Sequence, residues 1–147
     1  MWIGTENGIC LFCNGQFAEL PQEIPGTAFA MAYDPQRDRL FISSSWNGFY
    51  AKQGKEWTHW RMPFGGHGQH DKQVRSVAVG PDGTIWLSTN AGLVSFSQAE
   101  RRWVRYGSDF TEGVVLDGPD TVYVQASPPY VLRRLAGGDA ESRRAAE

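Results

Sequence analysis

The sequence predicts an all-β chain of about four consecutive blade-like antiparallel sheets, and three observations carry that reading. First, aromatic-led strand cores recur as Trp2-Ile3-Gly4-Thr5, Phe41-Ile42-Ser43-Ser44, Trp86-Leu87-Ser88-Thr89 and Tyr123-Val124-Gln125-Ala126, with starts 39, 45 and 37 residues apart. Second, each core leads through a short polar turn into another apolar strand, at Gly8-Ile9, Gly48-Phe49, Gly92-Leu93 and, in a degenerate copy, Pro129-Tyr130. Third, three cores follow turns rich in Asp and Pro: Asp34-Pro35-Gln36-Arg37-Asp38, Gly80-Pro81-Asp82-Gly83 and Asp117-Gly118-Pro119-Asp120. Proline presets φ and Asp or Gly accept tight-turn geometry, so these are hairpin connections. A unit of about 40 residues with four short strands cannot bury both faces alone and must stack on its neighbours, the arrangement of a partial β-propeller.

The elements follow in order. The first unit opens at its second strand, Trp2 to Thr5, and continues through a third strand from Ile9 to Cys13. The next divides into 28–33, 39–44, 48–52 and 57–61, and the best-formed one into 74–79, 84–89, 92–97 and 102–106. The last stops after its third strand near Leu135, for fourteen strands grouped three, four, four and three. The blades thus occupy 1–135. Residues 136–147 contain no aromatic and read as a disordered or short helical tail, with Asp139 as an N-cap.

Composition agrees with this architecture and excludes several functions. Seventeen glycines, eight prolines and 13% aromatics in 147 residues describe a turn-rich chain and argue against a helical bundle. Fourteen basic against sixteen acidic residues leave a net charge of −2, no broad field for nucleic acid. No run approaches the roughly eighteen apolar residues of a membrane span, so no membrane insertion is expected. No basic or apolar leader follows Met1, which reads as cytoplasmic by default. No nucleophile elbow, phosphate loop, dinucleotide fingerprint or His-Glu-x-x-His helix is present, and no cofactor is expected. Cys10 and Cys13 match Cys-x-x-Cys, but strand positions three apart point to opposite faces, so the expectation is two buried structural thiols. Arg101, Arg102 and Arg105 alternate with aromatics on an outermost strand, where charge keeps a sheet edge from aggregating.

The string Val74-Arg75-Ser76-Val77-Ala78-Val79-Gly80-Pro81-Asp82-Gly83-Thr84-Ile85-Trp86-Leu87-Ser88-Thr89-Asn90-Ala91-Gly92-Leu93 resembles the two-component regulator propeller repeat. Trp2-Ile3-Gly4-Thr5-Glu6-Asn7-Gly8-Ile9 resembles the heart of that repeat more closely still. The unit is also similar to the streptogramin lyase propeller repeat. The first resemblance implies a ring-shaped sensor domain, often outside the membrane in hybrid histidine kinases, with a structural and not a catalytic motif. The second implies a rival reading, a metal-assisted lyase or hydrolase.

In a meander the connections alternate ends, so loops between second and third strands share a face with the connections from one unit to the next. That face is the candidate binding face, because loops on a rigid scaffold carry recognition. It offers Trp46, Asn47, His67, His70 and Asn90 as ligand-binding candidates. No catalytic residue is assigned. His67, His70 and Asp71 are candidate metal ligands, but three donors in one Gly-rich loop lack a fourth, and the default expectation there is no metal. Glu6, Glu23, Asp109 and Glu112 belong to the same face, with no readable mutual distance.

The expected function is therefore a non-enzymatic recognition or sensor module for a small molecule, a glycan or a protein. Trp2, Phe41, Trp86 and Tyr123 are expected at blade-to-blade contacts. The open flanks of the outer sheets lead to one more expectation: the chain is part of a longer ring or associates with itself.

Overall fold

The structure, a computed structural model, describes residues 1–18, 26–45, 48–64, 73–107, 109–134 and 140–144. Among the described residues, fifteen strands form four antiparallel sheets. The first sheet comprises β1 (Trp2–Thr5), β2 (Gly8–Cys13) and β3 (Gln16–Ala18). The second comprises β4 (Met31–Asp34), β5 (Arg39–Ser43), β6 (Phe49–Gln53) and β7 (Glu56–Trp60). The third comprises β8 (Val74–Val79), β9 (Ile85–Thr89), β10 (Gly92–Ser97) and β11 (Arg102–Tyr106). The fourth comprises β12 (Thr111–Asp117), β13 (Thr121–Ala126), β14 (Tyr130–Arg134) and β15 (Ala140–Arg144). Every sheet is a meander in chain order. β8 lies against both β4 and β12, so the first strands of successive sheets are neighbours and the chain forms a partial propeller.

The fifteenth strand corrects one expectation. Ala140–Arg144 pairs antiparallel with β14, from Tyr130↔Arg144 to Arg134↔Ala140, where a disordered or helical tail was expected. The segment lacks apolar alternation because an outermost strand needs only the free backbone groups of its neighbour as a template.

Three apolar layers hold the sheets together. Leu40, Ile42 and Tyr50 of the second sheet meet Trp2 and Ile9 of the first. Phe41, Phe49 and Ala51 on its other face meet Val77, Ile85, Leu87, Val94 and Phe96 of the third. Trp86 and Leu93 then meet Val114, Val122, Val124 and Leu132 of the fourth. Alternation along each strand feeds both layers, as a doubly buried sheet requires. Phe41 and Trp86 are buried at 0% and 3% exposure and Trp2 is half-buried, in the expected contact positions. Their equivalent Tyr123 is 47% exposed, since its face of the fourth sheet has no layer over it among the described residues.

The repeat's sequence marks have identifiable work. Thr5 Oγ1 donates to the Gly8 carbonyl at 3.0 Å and accepts from Asn7 N–H at 3.3 Å. Thr89 does the same with Gly92 at 2.6 Å and Ala91 at 3.0 Å. Gly92 has a φ of 111°, and a Cβ there would sit 2.6 Å from the Gly107 carbonyl, so the turn needs glycine on both counts. The Asp turns are held by their carboxylates. Asp34 accepts from Gln36 N–H at 3.0 Å and pairs with Arg37 at 2.9 Å, while Asp82 accepts from Thr84 N–H at 2.9 Å.

The cysteines depart from expectation in burial. Both are free, Cys10 half-buried and Cys13 exposed, because Cys13 ends β2 at its hairpin turn. The loop after β7 is anchored at its start: Met62 is buried and Phe64 packs on the same layer.

Candidate recognition face

The face carrying the β1–β2, β5–β6 and β9–β10 loops is organised by a bulge at the same place in the third and fourth sheets and by an extra residue at the matching place just before β4. In β8, Val74 pairs with Thr89 and Ser76 with Ser88, leaving Arg75 without a partner. In β12, Thr111 pairs with Ala126 and Gly113 with Gln125, leaving Glu112 unpaired in the same way. In the second sheet, Thr27 and Ala30 bond Ser45 and Ser43 through their backbones, so Ala28 and Phe29 share Ser44. Phe29, two residues before β4, is thus equivalent in position to Arg75 of β8 and Glu112 of β12. A bulge inserts one residue into one strand and re-aims its side chain.

The two charged members are each steadied by a side-chain amide. Asn90 Oδ1 accepts from Arg75 Nε at 3.1 Å, and its Nδ2 donates to Gln73 Oε1 at 3.3 Å. Gln125 Nε2 donates to Glu112 at 2.9 Å. The Arg75 guanidinium carbon also lies 5.0 Å from the Phe29 ring centre and 5.6 Å from that of Phe110, which leads into β12. Both phenyl rings are close to half exposed, at 42% and 44%. Cation–π contact at this range holds the guanidinium plane without neutralising it. Among the described residues Arg75 forms no ion pair; the two found are Arg37–Asp34 and Arg102–Glu100.

Of the ligand-binding and metal candidates expected from sequence, only Asn90 is among the described residues, and its side chain is engaged with Arg75 and Gln73; of the acids expected on this face, Glu6, Asp109 and Glu112 are described and Glu23 lies outside the described residues. Trp46, Asn47, His67, His70 and Asp71 lie outside them. Among the described residues no group of three His, Cys, Asp or Glu side chains comes together. Arg75, Phe29 and Phe110 were not singled out in the sequence, since a bulge becomes visible only when the register is known.

The opposite end carries a cleft of about 500 Å³ lined by Trp2, Tyr33, Asp38, Leu40, Lys52 and Gly54. Lys52 Nζ lies 5.5 Å from the Trp2 ring centre and 5.9 Å from that of Trp57. Tyr33 donates to Asp38 Oδ1 at 2.7 Å, and that hydrogen bond holds its phenol above the usual tyrosine range. Tyr33 and Asp38 thus satisfy each other, and the Lys52 ammonium donates to the Gly54 carbonyl.

No known protein family matches the sequence, and no curated protein matches it. Solved structures do. Two are of the extracellular domain of BT4673 from B. thetaiotaomicron, described once as a hybrid two component system and once as a one component system. The first matches with 18% identity and a TM-score of 0.73 over 98% of this chain and 20% of that one. The second matches with 19% identity and a TM-score of 0.70 over 95% and 20%. An ancestral GH74 enzyme matches with 16% identity and a TM-score of 0.74 over 97% of this chain and 23% of that one. The chain therefore spans about a fifth of the length of each of these structures, and the likeness is one of fold.

Proposed function

We propose that the chain is a non-enzymatic recognition module of the sensor type, a segment of a larger propeller that takes its ligand on the bulged face. The observation that carries this reading is the placement of Phe29, Arg75 and Glu112 at matching places at one end of three successive sheets, with the Phe29 ring centre 5.0 Å from the Arg75 guanidinium carbon. Bulges next to binding sites aim side chains that a regular ladder would not. The half-exposed rings and the guanidinium are positioned before any ligand arrives, which limits the ordering cost of binding. The similarity to an extracellular domain of a two component system supports the sensor reading and a place outside the membrane. The quoted repeat strings support the two-component regulator propeller type.

A thermal-shift screen of small molecules and glycans tests this. A ligand at 100 times its Kd stabilises the folded state by about 2.7 kcal/mol. The expected hit has a smaller shift in Asn90→Ala and an unchanged one in Asp38→Ala, with no chemical change in the ligand. A hit that is turned over, or one insensitive to Asn90 and lost with Asp38, contradicts the reading.

A further inference from the structure

We infer that Arg75 receives the carboxylate of a small ligand whose apolar part rests on Phe29 and Phe110; this deepens the recognition reading above and rests on it. A guanidinium has five N–H donors, and here Nε is committed to Asn90 Oδ1 at 3.1 Å. That bond fixes the rotation of the group and leaves the paired Nη edge as a fork without an acceptor among the described residues. Two parallel N–H···O bonds to one carboxylate are the arrangement such a fork fits, charge-assisted and about twice as strong as neutral ones. Glu112, the bulged acid of the next sheet, does not neutralise it, since its carboxylate accepts from Gln125 and forms no ion pair with Arg75. The flanking groups then select the remainder of the ligand. Two half-exposed phenyl rings within 6 Å of the cation offer apolar faces beside the fork, so a flat apolar body attached to the carboxylate fits better than a heavily hydrated anion.

The test follows the Arg75 Nε–Hε resonance of ¹⁵N-labelled protein during titration with sodium benzoate, sodium phosphate and benzamide at constant ionic strength. The expected result is a saturable shift with benzoate, none with neutral benzamide and a weaker response to phosphate. Binding of benzoate, followed on the backbone amides of 89–92, should fall about tenfold or more in Arg75→Gln and less in Asn90→Ala, with circular dichroism unchanged. No saturable shift with benzoate, a preference for phosphate, or benzoate binding unchanged by Arg75→Gln overturns the inference. If benzoate fails while a neutral hit still depends on Asn90, the carboxylate is wrong and the recognition face stands. If no compound of any class depends on that face, both fall.

Discussion

Thr111 Oγ1 accepts a hydrogen bond from the Thr89 N–H at 2.9 Å and donates one back to the Thr89 carbonyl at 3.2 Å, with both residues fully buried. The pair joins the third sheet to the fourth. Equivalent backbone bonds join the first to the second, Ala28 N–H to Thr5 at 3.1 Å, and the second to the third, Val74 N–H to Ser44 at 3.4 Å. The fourth residue of the first three aromatic-led cores therefore ties its sheet to the start of the next. Thr111→Val keeps the volume and leaves two buried backbone groups of Thr89 without this partner, which costs about 1–3 kcal/mol for each unsatisfied group. The expected outcome is a clearly lower urea midpoint, with Thr111→Ser close to wild type. Equal midpoints for Val and wild type would show that the pair contributes nothing.

Ser88 is fully buried, and its hydroxyl has no partner among the described residues. An unpaired buried hydroxyl is unfavourable, so Ser88→Ala should leave stability unchanged or raise it by up to about 1 kcal/mol. A thermal unfolding scan measures it. A marked loss would mean that the hydroxyl has a partner in solution.

Burial raises the phenol of Tyr50, and burial followed by the nearby Asp109 carboxylate raises that of Tyr130. A phenol held above its unfolded value, near 10, binds its proton more tightly in the folded state. The resulting stability is fully present below the unfolded pKa and is lost as pH rises through the folded one. Unfolding midpoints should thus fall above about pH 10, with tyrosinate absorbance rising in the same range. Tyr50→Phe should flatten part of that fall; a variant with the same alkaline slope removes Tyr50 from the account.

The outward face of the fourth sheet exposes Val115 at 64% and Tyr123 at 47%, beside a groove of about 300 Å³ that includes Val131. Apolar area of this kind favours association or completion by further sheets. Light scattering of the chain alone should give a mass above 16.4 kDa that rises with concentration, and Tyr123→Asp should lower it. A monomer at all concentrations, with no dye-detectable apolar surface, contradicts this.

The sheets were legible in the sequence because three marks agreed: the aromatic that fills an inter-sheet layer, the Thr or Ser that closes the following turn, and the Asp that holds the preceding one. Trp86, Thr89 and Asp82 show all three within one unit. β15 was not legible, because an edge strand is specified by its neighbour's backbone and carries no alternation of its own. The same limit hid Arg75. The string Val74-Arg75-Ser76-Val77 reads as ordinary alternation, and only the pairing of Val74 with Thr89 and Ser76 with Ser88 exposes the extra residue. Asn90 was found from the loop position alone, without the guanidinium it holds.

Hydrogen–deuterium exchange of the chain with and without a ligand taken from the thermal-shift screen tests the central claim most directly. Protection confined to 28–30, 73–76, 89–92 and 109–113, the bulged strands and their loop, is the predicted footprint. Protection instead around Trp2, Tyr33 and Lys52 at the opposite end, with the bulged strands unchanged, would contradict it.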